Sequence, residues 1–83
     1  MTFDVIWEPE AILIGSRFLS DDPVGVSRLM DTVDLLADDP RPANSVRYGS
    51  DDLRRLHVDK YRVAYEIFPA EYEIRIVHVG RVT

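Results

Sequence analysis

Residues 53–82 read LRRLHVDKYRVAYEIFPAEYEIRIVHVGRV, a run of adjacent strands in which arginines and histidines interrupt a pattern that otherwise builds core. Period-two alternation places Tyr61, Val63, Tyr65 and Ile67 on one face of a strand and Arg62, Ala64, Glu66 and Phe68 on the other. The next run sets Tyr72, Ile74, Ile76 and His78 against Glu73, Arg75, Val77, Val79 and Arg81. Both of these sets are largely apolar, so alternation does not choose the one that faces the core. Between the two runs, Phe68-Pro69-Ala70-Glu71 is short and holds a proline that cannot donate to a ladder, which predicts a tight antiparallel hairpin.

Upstream of this sheet the periodicity is helical. Phe3-Asp4-Val5-Ile6-Trp7 predicts a short strand, and Pro9 stands where a first helical turn tolerates it. The first helix is expected from about Glu8 or Pro9 to Leu19, with Gly15 as a weak point. Its apolar residues Ala11, Ile12, Leu13, Ile14, Phe18 and Leu19 spread beyond one narrow stripe, which predicts burial on two sides. Ser20-Asp21-Asp22 offers N-caps for a second helix that opens at Pro23, with Val26, Leu29, Met30, Val33, Leu36 and Ala37 recurring every three or four residues. This helix ends before Asp39-Pro40-Arg41-Pro42, because the residue before a proline is pushed out of helical geometry. From Ser45 the pattern turns to Val46-Arg47-Tyr48-Gly49 and then to the strands. The expected architecture is α+β with the order β-α-α-β-β-β, a helical hairpin packed on a small, mainly antiparallel sheet. With 83 residues the chain has room for one core, so residues 1–83 form a single domain.

Composition narrows the functional classes. Cysteine is absent, which removes disulfides, thiolate nucleophiles and thiolate metal sites, and the two histidines lack His-x-x-x-His spacing. No metal and no cofactor is expected. No apolar run is long enough to cross a bilayer and the first residues carry no basic and apolar leader pattern, so no membrane association and a cytoplasmic location are expected. The net charge of −5 hides an asymmetry: residues 1–40 sum to −7 and the remainder to +2. A cationic sheet backed by acidic helices can hold a polyanion by local field, whereas the overall acidity disfavours nonspecific binding to nucleic acid.

Element order and motifs together resemble one family. The Asp-Pro-Arg-Pro helix exit, the Leu-Arg-Arg-Leu strand, Tyr61-Arg62-Val63-Ala64-Tyr65 and Val77-His78-Val79-Gly80-Arg81 resemble the RelE/ParE superfamily of bacterial type II toxin-antitoxin toxins. For the RelE branch the resemblance implies a ribosome-dependent endoribonuclease that cuts mRNA, inhibits translation and is neutralised by a cognate antitoxin. The ribosome and mRNA would then be partners, and DNA would be reached only through the antitoxin. The implied reaction is metal-independent attack of a ribose 2′-hydroxyl on the adjacent phosphate, which requires a base, cations for the charged phosphorane and an acid for the leaving oxygen.

The resemblance assigns Arg62 to phosphate stabilisation, Arg55 to the neighbouring phosphate and Arg81 to a third cation. Imidazole is the side chain that ordinarily titrates near neutrality, so His57 and His78 are the acid/base candidates. Arg54, on the opposite side of its strand from Arg55, is expected to bind RNA with Lys60 and Arg47. The tyrosines could stack on bases, although strand aromatics more often pack across strands.

Two departures weigh against efficient mRNA cleavage. Ribosome-dependent members carry further basic residues and a tyrosine past the final strand, where this sequence has Gly80-Arg81-Val82-Thr83, and active members tend to be basic. A ParE-like gyrase inhibitor and a catalytically weak homologue that acts as an antitoxin-binding corepressor are the alternative readings.

Overall fold

A computed structural model describes residues 2–82. One five-stranded sheet is built from β1 (Asp4–Trp7), β2 (Ser45–Tyr48), β3 (Ser50–Val58), β4 (Tyr61–Phe68) and β5 (Glu73–Arg81), with the spatial order β1-β5-β4-β3-β2. β1 runs parallel to β5, and the other neighbours are antiparallel. Helices α1 (Pro9–Asp21) and α2 (Pro23–Asp34) cover one face, and a short 3-10 turn over Leu35–Ala37 extends the second. The α+β class and the helical hairpin on a mainly antiparallel sheet are as expected. The structure adds β2, a four-residue edge strand whose side chains are exposed except for Ser45. A strand that buries so little carries no core pattern.

The faces follow the alternation of β4, where Tyr61, Val63, Tyr65 and Ile67 are buried and the intervening residues are not. Leu56 and Val58 from β3, Ile74, Ile76 and Val79 from β5, and Val26, Leu29 and Val33 from α2 complete the core with Ala11 and Leu36. Both buried tyrosines find partners for their hydroxyls, as burial of a polar group requires. Tyr65 donates to the carbonyl oxygen of Pro40 at 2.6 Å, and Tyr61 donates to Asp22 Oδ2 at 2.7 Å. Strand β4 is thereby fastened to both ends of the second helical segment.

Of the three N-cap candidates, the structure selects Asp22, the single residue between the helices, so α1 runs two residues past Leu19. Its Oδ1 accepts from the Gly25 amide at 3.1 Å, and Lys60 Nζ lies 3.3 Å from Oδ2. A Cβ on Gly25 would overlap the Asp22 carboxylate. Gly25→Ala, which in an ordinary helical position stabilises by about 1 kcal/mol, is therefore expected to lower the denaturant midpoint, and a raised midpoint would refute the locked cap.

The hydrogen bond from Tyr61, followed by that from the Gly25 amide, holds the Asp22 carboxyl below its ordinary 3.8. The folded protein then binds this proton more weakly than the unfolded chain. Its stabilisation is complete above the unfolded-state value and fades as pH falls through the lowered one. Urea titrations between pH 5 and 2 should accordingly show a shallower loss of stability in Asp22→Asn than in the parent. Equal slopes would mean that Asp22 is unperturbed.

The hairpin between β4 and β5 contains a 3-10 turn, Pro69–Glu71, followed by Tyr72 in the left-handed region at φ 50°. Tyr72 therefore leaves the strand, and its ring packs edge-on against Phe3 with centroids 5.6 Å apart. Further along, the register of β4 and β5 shifts: Tyr65 faces Ile76, but Ala64 faces His78. Val77 is the extra residue of this bulge, and beyond it inward and outward positions are exchanged.

Candidate functional site

The face of the sheet away from the helices is open. On it β3 presents Arg55 and His57, β4 presents Arg62 and Ala64, and β5 presents His78 and Gly80, in the cross-strand pairs Arg55↔Ala64, His57↔Arg62, Ala64↔His78 and Arg62↔Gly80. His78 reaches this face through the bulge. Without it, His78 would share the inward side with Ile74 and Ile76. At Ala64 and Gly80 a methyl and a hydrogen leave a floor between larger side chains. The result is a concavity of about 430 Å³ bordered by Tyr48, Arg55, Arg62, His78 and the start of the C-terminal segment at Arg81 and Val82. Among the described residues no side-chain carboxylate lines it.

Among the described residues neither Arg55 nor Arg62 forms an ion pair. Nη1 of Arg62 donates to the carbonyl oxygens of Asp59 and Tyr61, each at 2.9 Å, at the β3–β4 turn, where Asp59 has φ 51°. Neutral partners orient the guanidinium and leave its charge for an anion. Arg55 lies over the Tyr48 ring at 5.0 Å, a cation–π contact that fixes a long side chain without neutralising it. Glu66 and Glu73, the acids nearest in the strand pattern, do not reach Arg62; Glu73 instead pairs with Arg75 at 2.5 Å.

The other sequence candidates lie elsewhere. Arg81 borders the concavity, but its guanidinium turns to the helix side, paired with Asp21 and stacked 4.6 Å from the Phe18 ring. It is therefore not a third free cation. Arg54 is on the helix side, where Nε donates to Ser45 Oγ at 3.0 Å and Nη1 approaches Asp51. Lys60 also points that way, toward Asp22. Arg47 is exposed on β2 opposite Arg54. His57 shares the open face but sits in a smaller adjoining depression with Val46, Tyr48 and Arg55. Arg55, Arg62 and His78 are thus brought together, His57 flanks them, and Arg47, Arg54 and Lys60 stand apart. No group of three or more metal-ligating side chains occurs among the described residues.

Sequence reasoning named Tyr48 only as one of four tyrosines, with Tyr61, Tyr65 and Tyr72, that could stack on bases, and it did not name the small floor residues for this site. The signal available was the register: Ile76-Val77 is an adjacent apolar pair inside an alternating strand, which marks a place for a bulge.

The helix side carries a second concavity, an apolar groove of about 280 Å³ between α1 and α2, lined by Trp7, Ile12, Leu19 and Met30 among others. Ile12 and Leu19 are about half exposed there.

Known proteins share this fold. The family described as the ParE toxin of the type II toxin-antitoxin system parDE matches residues 25–82. The isolated Escherichia coli RelE toxin superposes with a TM-score of 0.80 at 14% identity, over 98% of this chain and 85% of RelE. The archaeal RelE–RelB complex from Pyrococcus horikoshii gives 0.75 at 22% identity, over 98% and 96% of the two chains. The chromosomal ParDE system of Pseudomonas aeruginosa gives 0.73 at 14% identity, over 99% and 98%. No curated protein matches the sequence. At these identities the structural likenesses establish the fold.

Proposed function

The chain belongs to the ParE toxin family, within the RelE/ParE superfamily of type II toxin-antitoxin toxins, and we propose that it acts as a ribosome-dependent mRNA endoribonuclease through the concavity on its open sheet face. The observation that supports this reading is the meeting of Arg55, Arg62 and His78 around one depression that no side-chain carboxylate of the described residues lines. In the proposed reaction the ribose 2′-oxygen attacks the adjacent phosphorus and the 5′-oxygen departs with a proton, leaving a cyclic phosphate. Arg62 and Arg55 stabilise the charge that builds on the phosphoryl oxygens. His78 takes the 2′-hydroxyl proton or returns one to the departing 5′-oxygen, and His57, on the same face beyond Arg62, is the candidate for the complementary transfer.

Neutralisation would come from an antitoxin, as in the RelE–RelB and ParDE complexes. The apolar groove between α1 and α2 suits an amphipathic helix, and the cationic face suits an acidic segment of the same partner. Any contact with DNA would be through that antitoxin. No helix among the described residues is long and apolar enough to cross a membrane.

Inducible expression in bacteria, with growth followed and mRNA 5′ ends mapped, tests the reading. Growth arrest with new ends inside translated codons is the expected result. The match to the ParE family favours a second reading, inhibition of gyrase by the same fold without nuclease chemistry. Arrest with intact mRNA and blocked supercoiling would select that reading, and unaffected growth with tight antitoxin binding would select a corepressor.

A further inference from the structure

We infer that Tyr48 is a nucleobase-stacking platform at the mouth of the site, held in place by Arg55. The inference rests on the RNA-directed reading above and adds to it the means by which a base, as distinct from a phosphate, is gripped.

Three observations converge on Tyr48. It lies on the edge strand and is 38% exposed, unlike the buried Tyr61 and Tyr65, whose hydroxyls are engaged. Two residues on from Val46, which pairs with Arg55, it falls on the open face, and a register shift and a glycine at φ 84° end the strand beside it. Most tellingly, Tyr48 and Arg55 together border both depressions of the open face, the large one with Arg62 and His78 and the small one with Val46 and His57. The stacked pair is a ridge between two hollows.

A single-stranded RNA laid across such a ridge is recognised in two ways. Its phosphate meets Arg55 and Arg62, and a flanking base leaves its own stack to lie on the phenol ring, a contact open to every base because each has a π face. The Arg55 guanidinium on the ring already orients it, which lowers the ordering cost of binding. A duplex keeps its bases stacked on each other and gains nothing from the ridge. The preferred ligand is therefore single-stranded RNA with at least one unstacked base beside the contacted phosphate.

The test uses purified parent chain, Tyr48→Phe and Tyr48→Leu, each checked by thermal melting, with a short single-stranded RNA that carries 2-aminopurine as fluorescent base. The parent and Tyr48→Phe are expected to bind and change its fluorescence alike, while Tyr48→Leu binds about ten- to hundredfold more weakly. Leucine keeps the apolar bulk and loses the π face. Equal binding by the leucine and phenylalanine variants, or no binding by the parent, overturns the platform. Mapping of mRNA ends in cells is independent of this result. New ends from the parent with leucine and phenylalanine variants equal in binding would remove the platform and keep the nuclease, and binding as expected without new ends would do the reverse.

Discussion

Arg62→Ala is expected to abolish growth arrest and to slow mRNA cleavage by about 10²–10³-fold, the usual cost of removing one preorganised donor from a site of developing negative charge. Arg62 is the half-buried cation at the centre of the open face, paired across the sheet with His57 on one side and Gly80 on the other. Its hydrogen bonds go to two backbone carbonyl oxygens of a turn, so loss of the side chain removes no ion pair and opens no cavity in the core. The melting temperature should stay near that of the parent. Arg62→Lys keeps a point charge and loses the planar fork, and intermediate activity is expected of it. Full toxicity in a folded Arg62→Ala protein would dismiss the concavity as the active site.

Tyr65→Ala should have the largest effect on stability, about 3–5 kcal/mol as for other buried aromatic truncations. Stability for a domain of this length is roughly 4–12 kcal/mol, so the variant approaches unfolding at moderate temperature. Tyr65 is fully buried, and its hydroxyl donates to Pro40 where the chain leaves the helical layer. Burial pushes the pKa of that hydroxyl up, which keeps it neutral and donating. Tyr65→Phe separates the two contributions. It retains the ring and leaves the Pro40 carbonyl without its donor, at a cost of about 1–3 kcal/mol. Denaturant midpoints for the two variants decide the matter, and similar losses in both would place the stabilisation in the hydrogen bond and not in the ring.

The helical layer was legible because proline and aspartate punctuate it. Pro9, Pro23 and Pro40 mark where helices begin and stop, and the heptad-like recurrence of Val26, Leu29 and Val33 names the buried side. β4 was legible because it alternates without interruption. β5 was not, since a period-two rule assumes constant register, and Val77 breaks it. The same slip accounts for the mixed outcome at the site. Arg62 and Arg55 were named through the family resemblance and strand parity sets them on one face, whereas His78 reaches them only through a bulge that both apolar faces conceal. Arg81 matched the family motif, yet its cross-strand position opposite the inward Tyr61 directs it to Asp21 and Phe18. A motif identifies a position along the chain, and the pleat then decides the side.

The parallel pairing of β1 with β5 joins Asp4 to Glu73, so the sheet closes between segments far apart in sequence. Contacts this distant in sequence slow folding, because the loop must close before they form. β5 also carries His78 and Gly80, two of the six residues presented on the open face. While β5 is still inside the exit tunnel, a nascent chain has neither a finished sheet nor a finished cleft. Until β5 joins the sheet, the edge of β4 is unpaired, and its free N–H and C=O groups offer an extended partner segment a place to add as a strand.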